Sequence, residues 1–306
     1  MVIADIGDWT AGLGLARAEL GSGARVVVRR DGDIRASIAT VGGQEFEDVP
    51  ELLAEIGGDL GRVELGAEVA VLDDALLAAV GRPSRVVGIG LNYPLHAQET
   101  GRATASHAAI FAKWASSLTA PYADITLPPE SAHVDYEAEL VAVIGRRARR
   151  VSLEEADHVV FGYTVANDVS VRDYQRHTSQ VMAGKAWDRL TPVGPVIVPA
   201  RAVGGVHPDL RITGTLDGEI VQRDRTSSLQ FSVAELVAYI STMTELQPGD
   251  LILTGTPAGA GLLRTPSLRL AEGSVFEARI EGIGAVRNRF VADPSVPREP
   301  LEERRG

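Results

Sequence analysis

One run limits what this chain can build: Val134-Asp135-Tyr136-Glu137-Ala138-Glu139-Leu140-Val141-Ala142-Val143-Ile144-Gly145. Its Val, Ile and Leu give strong β propensity, and Gly145 with the arginines behind it closes the run, so it reads as one β-strand. Side chains at i and i+2 of a strand share a face, which sets Glu137 and Glu139 together with Asp135 next along. A second β-rich run, Val159 to Asn167, leads into Asp168. If the two strands are neighbours, three carboxylates converge. Burying them without a cation would be costly, and an all-oxygen donor set suits a hard divalent ion with positions left for water or substrate. Taken alone, the same run also fits a strand with two solvent-facing glutamates.

Composition narrows the class. The 306 residues allow one large domain, or a main domain with a smaller partner, and the hydrophobic content is that of a protein with an ordinary core. A net charge of −11 argues against general nucleic-acid binding, which needs basic surface. There is no apolar run long enough for a membrane span and no basic segment followed by an apolar core at the N-terminus, so a cytoplasmic protein is expected. With no cysteine, disulfides, thiolate zinc sites and a cysteine nucleophile are excluded. Zincin, P-loop and nucleophile-elbow motifs are missing too.

Residues 1–80 lack a chemical signature and read as a small accessory domain, with a hairpin turning at Asp31-Gly32 and a short helix from Pro50 to Gly57. Past Arg85 the texture changes. If Pro94 opens a helix, His96 and Glu99 fall at i and i+3, where a carboxylate can fix an imidazole for general-base work; an incidental surface pair has the same spacing. Ser152 and Glu155 form a capping box. Lys185, between Gly184 and Ala186, could reach an anion, although a lone lysine usually sits in solvent. A hairpin is expected around Asp217-Gly218, a helix within Phe231–Met243 for core packing, and closing strands at Val275–Arg279 and Ala285–Val291. The Gly-rich loop from Thr254 to Gly261 could bring backbone N–H groups to a carboxylate. From Asp293 (residues 293–306) a frayed tail is expected.

These stretches resemble the fumarylacetoacetate hydrolase family. The match runs through Gly90-Leu91-Asn92-Tyr93 with His96 and Glu99, Asp135-Tyr136-Glu137-Ala138-Glu139-Leu140, Asn167-Asp168-Val169-Ser170 with Arg172 and Asp173, and Gly184-Lys185 with Asp188. It ends with Pro248-Gly249-Asp250 and Thr254-Gly255-Thr256-Pro257-Ala258-Gly259. The likeness spans about Arg85 to Phe290. It implies a fold that is mainly β with α+β character: a mixed β-sheet roll or barrel over residues 81–292, usually homodimeric, plus the small N-terminal domain.

By motif position, the resemblance makes Glu137, Glu139 and Asp168 ligands of Mg2+ or Mn2+, with Ca2+ a third candidate. His96 and Glu99 become a water-activating dyad, and Lys185 holds the substrate. Tyr93, Arg172, Gln175, Thr254, Gly255 and Thr256 face the substrate. Two departures stand out: Leu95 where many relatives have Asp, and Trp114 where many have Pro. Both put the substrate, more than the metal chemistry, in question. The expected activity is hydrolytic C–C cleavage of an acylpyruvate-like 1,3-dicarbonyl or 2-oxo acid. The cation would polarise the 2-oxo carbonyl, His96 would deprotonate water, and Lys185 would help carry enolate charge. Decarboxylation of an oxaloacetate-type β-keto acid, isomerase or hydratase work on an unsaturated 2-oxo acid, and a non-catalytic relative are the alternatives. Likeness of fold does not rank them.

Overall fold

The computed structural model describes residues 10–102 and 105–295. Among these, two sheets carry most of the chain. The order across the larger sheet, twelve strands among the described residues, begins at Gln44–Glu45, Arg35–Val41, Gly23–Arg30 and Leu13–Leu20. It continues through Thr191–Pro199, Val160–Asn167, Ala138–Ile144, Leu251–Leu253, Val86–Gly90 and Ala109–Lys113. Glu64–Ala70 and Leu118–Thr119 join it off this path. A five-stranded sheet runs Glu219–Arg225, Arg211–Leu216, Val275–Ile280, Gly284–Val291, Ile125–Thr126. The fold is mainly β with mixed sheets, as the resemblance implied. Among the described residues no helix is long and apolar enough to cross a membrane.

Local expectations are met at several turns. Gly23–Arg30 and Arg35–Val41 pair antiparallel around Asp31-Gly32, and Arg211–Leu216 pairs with Glu219–Arg225 around Asp217-Gly218. The helix Val49–Ile56 (α1) has Pro50 in its first turn and ends at Gly57 with φ 59°, a left-handed cap that suits glycine. Ser152 and Glu155 exchange the reciprocal bonds of a capping box. The tail beyond residue 295 lies outside the described residues.

The expected boundary near residue 80 is crossed by the sheet. Leu13–Leu20 pairs antiparallel with Thr191–Pro199, where Leu15 faces Ile197. One apolar cluster joins Leu15, Val26, Leu52 and Leu53 to Val141, Val143, Phe161 and Leu253. The segment before residue 80 therefore shares a core with the strands that follow it.

The carboxylate run is not one strand. Pairing breaks at Tyr136-Glu137: Val134–Asp135 pairs with Ser170–Val171, and Ala138–Ile144 lies between Val160–Asn167 and Leu251–Leu253, antiparallel to both. All of Ala138–Ile144 is buried. Its side chains alternate between two cores, with Leu140, Ala142 and Ile144 in one and Val141 and Val143 in the other. Glu137 and Glu139 continue the parity of Val141 and Val143, at the end where that core gives out. The register sets Glu139 opposite Ala166 and Ala138 opposite Asn167, and the Asp168 N–H donates to the Glu137 carbonyl at 2.8 Å. Asp168 thus arrives on the face of the glutamates.

Candidate metal and active site

The ligand atoms of Glu137, Glu139 and Asp168 all lie within 4.8 Å of one another, and all three residues are buried. Two lysines balance part of the charge. Lys185 Nζ donates to Glu137 Oε2 at 2.5 Å and to Asp168 Oδ2 at 2.9 Å. Lys113 Nζ, fully buried, donates to Asp168 Oδ1 at 2.6 Å and to the Lys185 carbonyl. Arg172 bonds Glu137 Oε1 at 2.7 Å, Asp135 Oδ2 at 2.9 Å and Gln175 Oε1 at 3.0 Å. Asp135, expected beside the glutamates, instead accepts from Arg172 and from the N–H groups of Gly261 and Leu262. The break in the strand turns it out of the cluster.

Glu139 is the under-compensated member. It accepts the Gly255 N–H at 2.8 Å, and burial with Asp168 and Glu137 nearby pushes its carboxyl well above the usual range. Burial would also raise Glu137, but Lys185 and Arg172 outweigh it and hold that carboxyl below its ordinary value. Lys185 is held charged because Asp168 and Glu137 overcome its desolvation. A hard cation, replacing the proton that Glu139 would otherwise keep, fits this all-oxygen set.

The dyad sits on the helix Pro94–Glu99 (α2). His96 Nδ1 meets Glu99 Oε1 at 2.7 Å, and the Gly259 N–H donates to both Glu99 oxygens, at 3.2 and 2.9 Å. Burial works to raise the Glu99 carboxyl, but the His96 and Gly259 hydrogen bonds prevail and lower it. With Glu99 ionised, Nδ1 carries the proton and Nε2 keeps the lone pair. Asn92 fixes the base of the helix: its amide donates to the Phe231 and Thr254 carbonyls at 3.0 and 2.9 Å and accepts the Phe231 N–H at 2.8 Å. Gly255 (φ 103°) passes so near that a Cβ there would meet Asn92 Cβ at 2.9 Å.

A cleft of about 620 Å3 is lined by His96, Glu137, Arg172, Gln175, Lys185 and Thr256, among others. Tyr93, Thr254 and Gly255 are not among its lining residues. Tyr93 is wholly buried, with its hydroxyl unpartnered among the described residues. The Thr254 hydroxyl bonds the Leu140 carbonyl at 3.0 Å, and the Gly255 N–H is taken by Glu139. Thr256 reaches the cleft, but its hydroxyl donates to the Ala138 carbonyl and accepts from Gln222. The loop therefore braces the carboxylate strand. Lys113 had no expected role; its signal was a lone lysine ending the short strand Ala109–Lys113.

Fold and site together define a β-sheet enzyme class with a buried carboxylate triad beside a histidine dyad. The chain matches the family described as Fumarylacetoacetate (FAA) hydrolase C-terminal over residues 85–291 and belongs to the fumarylacetoacetate hydrolase family, whose members are enzymes. It is 40% identical over 216 residues to the oxaloacetate tautomerase Fahd2a, mitochondrial, of Rattus norvegicus, covering 70% of this chain and 69% of that protein. The fumarylacetoacetate hydrolase of Exiguobacterium antarcticum superposes with a TM-score of 0.79 at 30% identity, over 92% of this chain and all of that one. The fumarylpyruvate hydrolase of Pseudomonas aeruginosa, solved with Mn2+ and pyruvate, is 35% identical with a TM-score of 0.63, over 70% of this chain and 92% of that one.

Proposed function

We propose that this chain is a divalent-cation-dependent enzyme that moves a proton at the carbon beside the carbonyl of a 2-oxo acid, interconverting keto and enol forms of an oxaloacetate-type substrate. One observation carries the reading: His96, bonded through Nδ1 to Glu99, lines the same cleft as Lys185 and Glu137 of the carboxylate triad. Glu137, Glu139 and Asp168 would hold Mg2+ or Mn2+, which when bound acts as a Lewis acid on the carbonyl. His96 Nε2 takes the proton from C3, Glu99 supports the imidazolium, and the Lys185 ammonium offsets charge growing on the carbonyl oxygen. Return of that proton to oxygen completes the enol, and the reverse path restores the keto form.

The sequence alone put acylpyruvate hydrolysis first. The rat tautomerase moves it to second place, because tautomerisation needs the same base and no attacking water. Hydrolysis stays in view through the Pseudomonas neighbour, with His96 then deprotonating water. The homodimer implied by the family likeness belongs to this reading and is checked by light scattering. The rat relative is named as mitochondrial, so the cytoplasmic expectation supports none of it. The deciding experiment sets oxaloacetate, acetylpyruvate and fumarylpyruvate side by side with Mg2+ or Mn2+, following enol absorbance, CO2 and pyruvate. Accelerated loss of the oxaloacetate enol without CO2 supports the tautomerase. Pyruvate with acetate or fumarate supports the hydrolase, CO2 a decarboxylase, and silence on all three with a cation bound overturns the catalytic reading.

A further inference from the structure

Most positive charge around the cleft is committed. Lys185 and Lys113 serve Glu137 and Asp168, and Arg172 serves Asp135, Glu137 and Gln175. Two more cations line the same cleft: the side chains of Arg102 and Arg176 have no hydrogen-bond or ion-pair partner among the described residues. Both are exposed, so they stand on its solvent side. Their backbones are fixed to the catalytic elements. The Arg102 N–H bonds the Ala97 carbonyl at 3.0 Å, just past the dyad helix, and the Arg176 N–H bonds the Asp173 carbonyl at 3.0 Å, at the end of the short helix begun by Arg172.

The balance of charge is uneven. Of the four Lys and Arg side chains lining the cleft, Arg172 and Lys185 are paired with Asp135, Glu137 and Asp168, which leaves Arg102 and Arg176 as the surplus positive charge in a chain of net charge −11. Such a cleft draws anions from an otherwise acidic molecule. If the triad end takes the 2-oxo-carboxylate group, a single carboxylate leaves the two outer guanidinium groups with nothing to bind. A guanidinium fork matches a carboxylate in geometry.

We infer that Arg176, assisted by Arg102, binds a second carboxylate remote from the 2-oxo acid group and so selects dicarboxylic over monocarboxylic 2-oxo acids. This rests on the enolising reading above and adds to it the residues that set substrate choice. Oxaloacetate and 2-oxobutyrate are both four-carbon 2-oxo acids, differing in a remote carboxylate against a methyl group. Enzyme-catalysed exchange of the C3 protons with solvent deuterium, followed by NMR with Mg2+ present, reads the same proton transfer on both.

The expected result is a preference for oxaloacetate in kcat/KM that falls by ~10-fold or more in R176A and again in R176A/R102A, with R176K keeping part of it. Because the readout is a ratio, general damage to folding lowers both rates and leaves it unmoved. Equal handling of the two acids by the native protein, or a preference that survives in the double variant, overturns the inference alone. Exchange on neither acid overturns the enolising reading beneath it.

Discussion

At the scale of single residues, His96 is the group whose loss is most informative, because it touches the cleft without touching the carboxylate triad. H96A is expected to lower turnover by ~10²–10⁴-fold while leaving Mn2+ affinity, measured by calorimetric titration, almost unchanged. Full activity in that variant would remove the dyad from the mechanism. Glu99 gives a second test through stability. Its carboxyl is held below 4.5 in the folded protein, so the folded state binds fewer protons than the unfolded chain as pH falls. Its contribution is whole above pH 4.5 and is lost as pH drops through the folded value. The gap in melting temperature between the native protein and E99Q should therefore hold steady from pH 7 to about 5 and narrow below that. A gap that widens toward acid would reverse the assignment.

At the scale of elements, the hairpins, helix starts and the pairing of the two carboxylate-bearing strands were legible, because each rests on local turn chemistry or on period-two alternation. The break at Tyr136-Glu137 was not. It comes from distant partners: the Asn167 side chain accepts the Glu137 N–H at 2.9 Å, and Arg172 and Gly261 take Asp135. Nothing within Val134–Gly145 announces those contacts. Lys113 was hidden for a similar reason, since its partners are 55 and 72 positions away. Of the site, the triad and the dyad were readable from spacing and likeness, and the bracing role of Thr254 and Thr256 was not. Gly184 shows how tightly the lysine segment is docked. A Cβ there would meet the Val171 carbonyl oxygen at 2.6 Å and Gln175 Cα at 2.7 Å, both backbone atoms. G184A must push the short helix Arg172–Gln175 away from Lys185, so a fall in melting temperature worth ~1–3 kcal/mol and a loss of turnover are expected together. Wild-type turnover in a fully folded G184A would mean that Lys185 tolerates displacement.

At the scale of the whole molecule, the triad is a store of unfavourable charge in the metal-free protein. A cation that binds the folded chain and not the unfolded one should stabilise it by about 2.7 kcal/mol at a free concentration ~100 times Kd. Melting curves in EDTA and in Mn2+ measure this directly, and E139Q should shrink the shift. Identical curves with and without the ion would take the metal from the site.

The placement of the two lysines has a practical consequence. The chain has three tryptophans; Trp9 lies outside the described residues, Trp114 directly follows Lys113, and Trp187 comes two residues after Lys185, its indole N–H on the Ala183 carbonyl at 2.7 Å. Each indole within the described residues is therefore tethered by a few bonds to an ammonium that answers to the triad. The protein carries its own optical reporters: ultraviolet emission should change as a cation or substrate displaces those ammonium groups, and W187F would tell which indole is speaking.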